Sequence, residues 1–336
     1  MKQDTGVVIS SRARLARNVR NVAFPEWAGE EECVKLCGEL REALGNVSLL
    51  RGSLFLDMGT LDPVDKEVLK ERHLISNELA ERGKGSALAV TSDEGIAVMV
   101  NEEDHLRLQA ISPGLNIADV WEKVNIVDSE LDRKLDFAFS DRLGYLAACP
   151  SNVGTGLRVS VMMHLSGLRL MNEIEPVIKG MNRIGVAVRG LLGEGTEAYG
   201  NMFQVSNQST LGETEQGIID ALMKIVSEVA THEQNARARL MEGNKIHILD
   251  QIGRACGILM RAMVMSSREA IDLLSILRLG IDIGIVKNLT VSRINETILL
   301  TQPGHLQKFV GKVLSPQERD EARARIVRQK LGDISI

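Results

Sequence analysis

The chain has 336 residues, of which 44% are hydrophobic, enough for two cores, since single cores rarely grow far beyond about 250 residues. Its formal charge of −5 excludes the broad basic face of a general nucleic-acid or anionic-membrane binder, so any basic patch must be local. The opening MKQDTG lacks a signal peptide's apolar region, and no stretch approaches the roughly 20 apolar residues of a membrane span, so the expectation is a soluble, cytoplasmic protein.

In chain order, residues 6–10 read as a short strand and 29–44 as a helix with Cys33, Leu36, Cys37 and Leu40 on one stripe. Cys33 and Cys37 are the only near pair among four cysteines. With no His or further Cys to join them, packing is favoured over ligation or a disulfide framework. Residues 53–58, 87–91 and 96–101 read as strands, the last two joined by the turn-forming Ser92-Asp93-Glu94-Gly95. A further strand at 105–112 puts Asn101-Glu102-Glu103-Asp104 between two strands, where carboxylates can be exposed. Helical spacing dominates 116–146, and 157–165, 185–190 and 202–206 read as strands. This uneven alternation predicts an α+β fold with an antiparallel sheet rather than a doubly wound parallel one. From Thr210 the texture becomes helical, over 213–242, 248–265, 267–278, 291–300 and 316–331, which sets the expected division at 1–210 and 211–336.

Four segments bring chemistry together: Ser10–Arg14, Asn101–Arg107, Cys149–Arg158 and Arg189–Gly195. A guanidinium has a pKa above about 12 and is a poor nucleophile until it loses a proton, so a kinase acting on one needs positioned carboxylates. Glu103 and Glu194 are the candidates. Phosphoryl transfer also requires charge stabilisation, for which Arg12, Arg14, Arg107, Arg158 and Arg189 are suited. Gly154, Gly156, Gly193 and Gly195 are expected to let backbone amides approach phosphate oxygens, and Mg2+ is expected with ATP, held by phosphates and waters rather than by protein ligands. Neither a Walker-type nor a protein-kinase catalytic-loop motif is present. Singly, each element is weak: Asn-Glu-Glu-Asp is most often a solvated turn, Arg12 and Arg14 could merely face water, and Cys149 before a proline reads first as a buried thiol.

Taken together, Asn101–Arg107, Cys149–Arg158 and the Arg189–Glu194 segment resemble the signature segments of the phosphagen (guanidino) kinases, in the same order and at similar spacing. The resemblance implies a glutamine-synthetase-like catalytic fold, an antiparallel sheet flanked by helices. It implies that Glu103 and Glu194 engage the acceptor guanidinium and that Arg12, Arg14, Arg107, Arg158 and Arg189 hold the ATP phosphates. Cys149 would be the active-site thiol, and His73 would match a histidine beside the adenine. Two departures stand out. Only nine residues precede Ser10, where small-molecule phosphagen kinases carry a helical domain of about a hundred that helps enclose the substrate. Met162 stands where relatives carry a second adenine-side histidine.

The helical tail is similar to that of the bacterial protein arginine kinases of the McsB type, and Arg319-Asp320-Glu321-Ala322-Arg323-Ala324 matches their RDxxRA motif. The resemblance implies that Arg319, Asp320, Arg323 and Ala324 belong to a regulatory phosphoarginine site. Spacing alone favours a charged helix face with ordinary ion pairs. The resemblance further implies an ATP-dependent protein arginine kinase whose mark directs substrates to a Clp-type protease or inactivates a stress-response repressor. Its expected partners are protein substrates, a zinc-binding activator protein and a second copy of the chain, and neither membrane nor nucleic acid. The alternatives are a phosphagen kinase for free arginine or a small guanidine, and a non-enzymatic phosphoarginine-binding adaptor.

Overall fold

The computed structural model describes residues 6–190, 198–243 and 245–335. In chain order, β1 (Val8–Arg17) is followed by α1 (Glu30–Gly45), β2 (Leu54–Asp57), α2 (Pro63–Glu71), α3 (Asn77–Glu81), β3 (Ala87–Val90), β4 (Ile96–Val100) and β5 (Leu106–Pro113). Next come α4 (Ile117–Asp132), the short strands β6 (Phe139–Ser140) and β7 (Gly144–Tyr145), β8 (Leu157–His164), α5 (Ser166–Leu170), α6 (Ile174–Arg183), β9 (Val186–Gly190) and β10 (Met202–Asn207). The rest is helical: α7 (Glu215–Gly243), α8 (Lys245–Arg261), α9 (Ser267–Asp282), α10 (Val291–Leu300), α11 (Pro303–Val310) and α12 (Pro316–Leu331).

The main sheet has the order β2-β3-β4-β5-β1-β8-β10-β9, with every neighbouring pair antiparallel, as the α+β reading expects. Residues directly paired across antiparallel strands share a face, so the register divides the sheet into two surfaces. Ala13, Leu15, Leu108, Val98, Val159, Val161, Phe203 and Val205 face one way and are buried in a single cluster. Helix α4 covers this side with Ile117, Val120, Val124 and Val127, and α7 adds Ile219, Leu222 and Val226 to the same cluster. On the other surface, Leu88, Val90, Ala97 and Met99 of β3 and β4 are roofed by Met58, Leu74, Ile75 and Leu79, from the segment that carries α2 and α3. The rest of that surface, across β5, β1, β8, β10 and β9, carries arginine, glutamine and serine side chains with Ile111, Ala16, Met162 and Ala187 among them.

A second core gathers Ile248, Ile252, Leu259, Leu274, Leu277, Ile294 and Val327 from α8, α9, α10 and α12. Helix α11 instead docks on α2. The Glu71 carboxylate accepts from Gly304 N (2.6 Å) and His305 N (2.9 Å), capping α11, and contacts His305 Nδ1 (2.6 Å). A Cβ on Gly304 would come within 2.9 Å of Val68 N, so this close approach of two helices requires glycine.

Three local features differ from the sequence reading. Strand β1 runs seven residues past Ser10, because Arg12 and Arg14 alternate with the core residues Ala13 and Leu15. Residues 133–146 are not helical: α4 stops at Asp132, and Gly144, with φ +75°, turns the chain tightly against Gly154. Helices α2, α3, α5, α6 and α11 were not expected. Helix α2 is set by its ends, where Asp62 accepts from Val64 N and Asp65 N (2.9 Å each) before Pro63 at the first helical position.

Candidate active site

The register places all five candidate arginines on this second surface. Arg14 of β1 lies opposite Gln109 and Arg158, Arg12 opposite Ser160, and Arg189 of β9 opposite Gln204. Arg107 lies opposite Ala16, in phase with Arg14. Neutral groups on the same surface hold two of them: Arg12 donates to Gln204 Oε1 (2.8 Å) and Ser160 Oγ (3.5 Å), and Arg158 to Ser206 Oγ (3.3 Å). Among the described residues, Arg107 is the one of the five with a carboxylate partner.

Cations crowded together without counter-charge perturb one another. Burial, then the charges of Arg158 and Arg107, lowers Arg12 to about 10. Arg14 is driven well below its usual value by burial and by Arg12, and its buried Nε finds no hydrogen-bond partner among the described residues. Arg158 is lowered by burial, then by Arg189 and Arg107. Guanidinium groups remain protonated at neutral pH under such shifts, so this floor is a fixed positive surface suited to an anion with several oxygens.

His73 stands at the end of α2 in a left-handed conformation, φ +59°, and its carbonyl accepts from Gln109 Nε2 (2.7 Å). Desolvation and the charges of Arg12 and Arg14 hold its imidazole at about 4. The ring reaches solvent, which tempers the first cause and leaves the two guanidinium charges as the firmer one. A neutral imidazole beside the floor can meet a base without adding charge.

The acidic segment is not a solvated turn. Asn101, Glu102, Asp104 and His105 are all buried, and Glu103 alone of the four acidic-run residues Asn101–Asp104 is partly open. Asn101 Nδ2 donates to Cys33 O (3.0 Å) and Gly85 O (2.8 Å), Glu102 pairs with Arg107 (2.7 Å) and Ser76 Oγ, and Asp104 Oδ1 accepts from Asn18 Nδ2 and Ala148 N (2.7 Å each). With its neighbours tied down, Glu103 projects beside Arg107 (3.3 Å). Burial, then Asp104, raises its carboxyl above the usual range against the pull of Arg107, which suits a group that accepts a proton.

Asp104 also fixes the loop carrying Cys149, whose Sγ lies 3.0 Å from Ser151 Oγ. Two glycines of the same loop pack closely against backbone: a Cβ on Gly154 would strike Thr210 O at 2.3 Å and one on Gly156 would strike Ala16 O at 2.7 Å. Gly154 N donates to Tyr145 O (3.2 Å), which occupies the amide expected to approach phosphate. Glu194, Gly193 and Gly195 lie outside the described residues.

In the tail, Arg323 is buried, donating to Thr301 O (2.9 Å), Met265 O (2.8 Å) and Asp320 Oδ1 (2.5 Å). Arg319 donates to Leu314 O (3.3 Å), Asp320 keeps a partly open carboxylate, and Ala324 is buried. The described residues of the first-named segments thus meet on one sheet surface, while the tail segment lies on α12, where Arg323 feels the charge of Glu71 at the end of α2. Sequence reasoning missed Glu102, Gln109, Ser160 and Gln204. The signal for Gln109 and Ser160 is strand alternation with Arg107 and Arg158; for Gln204, whose strand carries no arginine, and for Glu102 there is none.

Residues 38–236 match the family described as ATP:guanido phosphotransferase, C-terminal catalytic domain, and residues 245–335 match the protein-arginine kinase McsB C-terminal domain. The chain is 41% identical over 336 residues to a protein-arginine kinase of Pelotomaculum thermopropionicum, covering 99% of this chain and 94% of the relative. The chain belongs to the protein-arginine kinase family. A second relative, the protein-arginine kinase of Geobacillus kaustophilus, is 43% identical over 330 residues, covering 98% and 91% of the two chains. The solved structure of a lombricine kinase shares the fold at a TM-score of 0.62, with 24% identity over 70% of this chain and 69% of that one. Membership makes this chain an ATP-using phosphotransferase. No described helix is long and apolar enough to cross a membrane.

Proposed function

We propose that this kinase transfers the γ-phosphoryl group of ATP to arginine side chains of proteins. The observation that carries the proposal is the meeting, on one sheet surface, of five arginines with a single partly open carboxylate, Glu103, at their margin. In this reading Arg12, Arg14, Arg107, Arg158 and Arg189 bind the phosphates and His73 lies along the base. Glu103 orients the acceptor guanidinium by paired hydrogen bonds and takes its proton as the P–N bond forms and the bond to the leaving ADP oxygen breaks. Glu194 is assigned as the second carboxylate by its sequence position, and Cys149 as the thiol beside the acceptor. Mg2+, if bound with the nucleotide, would be held largely by phosphates and waters and would neutralise phosphate charge during transfer.

We place the division between the two parts near residues 237–244 rather than 210, because α7 is built into the sheet's own core and the two family matches end at 236 and begin at 245. Arg319 and Asp320 would form the open part of a regulatory phosphoarginine site, with the buried Arg323 holding Asp320 in place. Further expectations rest on the family resemblance: a cytoplasmic setting, a homodimer, a zinc-binding activator, and a mark read by a Clp-type protease or placed on a stress-response repressor. ATP-dependent labelling with Mg2+, of an unfolded arginine-rich protein and of free arginine side by side, tests the reaction. Acid-labile label on the protein alone is expected, and label on free arginine alone would overturn it.

A further inference from the structure

The segment between β1 and α1 is bound to the acidic turn yet takes no part in the reaction as described. Val19 N donates to His105 Nδ1 (3.0 Å), which leaves Nε2 to carry the proton and donate to Ala23 O (2.8 Å). Burial keeps that imidazole neutral, in keeping with this arrangement. The Phe24 ring stands 6.1 Å from His105, and the Trp27 ring 5.7 Å from Phe24 at a tilt of 58°. The backbone is equally fixed, with Trp27 N and Ala28 N both donating to Phe24 O (2.8 and 2.9 Å). His105 is two residues from Glu103, and the charge of Glu26, next to Trp27, is felt at Glu103, which puts this segment on the Glu103 side of the arginine surface.

Trp27 is nonetheless 79% exposed, the most open aromatic side chain of the described residues. A large apolar ring held rigidly in water is a preorganised contact surface, because little conformational freedom is lost when a ligand covers it. Carboxylates outnumber cations around it: Glu26 is adjacent and exposed, its charge reaches Glu103, and Glu30, Glu31 and Glu32 open the following helix, against Lys84, paired with Glu30, and Arg82, which donates to Pro25 O (3.5 Å). An exposed indole beside a free carboxylate fits a cation with an aliphatic stem, the stem on the ring and the charge toward the carboxylate.

We propose that Trp27 and Glu26 form a subsite for a basic side chain of the protein substrate, a few residues from the arginine being phosphorylated. The proposal rests on the reading of Glu103 as the acceptor carboxylate. Such a subsite makes a polypeptide with a basic flank a better substrate than the same arginine between neutral residues.

Two unstructured peptides test it, each with one arginine, flanked by lysines in one and by serines in the other. For the full-length wild-type chain, kcat/KM is expected to be about tenfold higher on the lysine-flanked peptide, the scale of one well-placed cation–π contact. In Trp27→Ala that ratio should fall to about one through KM rather than kcat, and Glu26→Gln should lower it partway. The chain has two tryptophans, so Trp121→Phe leaves Trp27 as sole reporter. Its emission should shift when the lysine-flanked peptide is added with no nucleotide present. A wild-type ratio in both subsite variants, or emission indifferent to that peptide, would overturn the proposal. Full transfer by Glu103→Gln would instead refute the acceptor reading alone, because the emission titration reads the subsite without any chemistry.

Discussion

Replacing Arg12 by methionine should make the nucleotide-free kinase more stable and less able to bind ATP. Arg12 is held at about 10, well below the ordinary guanidinium value, a difference that corresponds to roughly 3 kcal/mol of folding free energy. The sign follows from the direction: a base with a depressed folded pKa imposes its full cost below about 10 and is relieved as pH rises from there through the unfolded value. Methionine removes the cost but also the bonds to Gln204 and Ser160, each contributing about 1 kcal/mol. The expected gain is thus about 1 kcal/mol, or a rise in Tm of about 2 °C. Thermal unfolding of both proteins at neutral pH, with and without ATP and Mg2+, reads the two effects. Wild-type Tm should climb with nucleotide as bound ligand withdraws the folded state from the unfolding equilibrium, and the variant should climb far less. If Arg12→Met lowered Tm and still responded fully to ATP, the arginine floor would be a structural network and not a site awaiting an anion.

Glu103→Gln should cut transfer by about 10²- to 10⁴-fold while nucleotide binding persists, and calorimetry that found ATP binding lost would refute the proton-acceptor role. Because burial raises the Glu103 carboxyl, the acid limb of kcat/KM in the wild type should lie above the ordinary carboxylate value of about 4.3, activity falling as pH drops through it. Glu102→Ala should cost about 3–5 kcal/mol, since it strips Arg107 of a fully buried partner; a denaturant midpoint near wild type would contradict that burial. Glu71→Ala uncaps α11, a loss of about 1 kcal/mol, and should speed hydrogen exchange at Gly304 and His305 while raising KM for ATP through the His73 loop. Unchanged exchange at those two amides would show that the cap does not hold the helices together.

The candidate site was legible where chemistry repeats with the strand period. Arg12 and Arg14 stand at alternate positions of one strand, and Glu103 beside Arg107 is a short-range pattern. That Arg158 and Arg189 join them depends on register across β8, β10 and β9, which no local signal encodes. Glu102 and Asp104 read as solvated because their partners, Ser76, Asn18 and Ala148, are far off in the chain. Helix α3 has five residues, too few for a 3.6-residue period to register. Spacing reads Arg323 as part of a charged helix face with ordinary ion pairs; its pairing with Asp320 agrees, but only the fold brings the carbonyls of Met265 and Thr301 to it and buries it.

The division of the sheet into an aliphatic surface and an arginine surface has a consequence for how the chain finds its shape. Sliding β1 by one residue against β5 or β8 would drive Arg12 and Arg14 into the cluster of Val98, Leu108 and Val159 and leave Ala13 and Leu15 in water. Guanidinium groups cannot give up their charge as lysines do, so the misaligned sheet has no inexpensive escape. The arginines proposed to hold phosphate therefore also proofread the pairing of the strands beneath them, and a variant that neutralises several at once should lose fidelity of alignment.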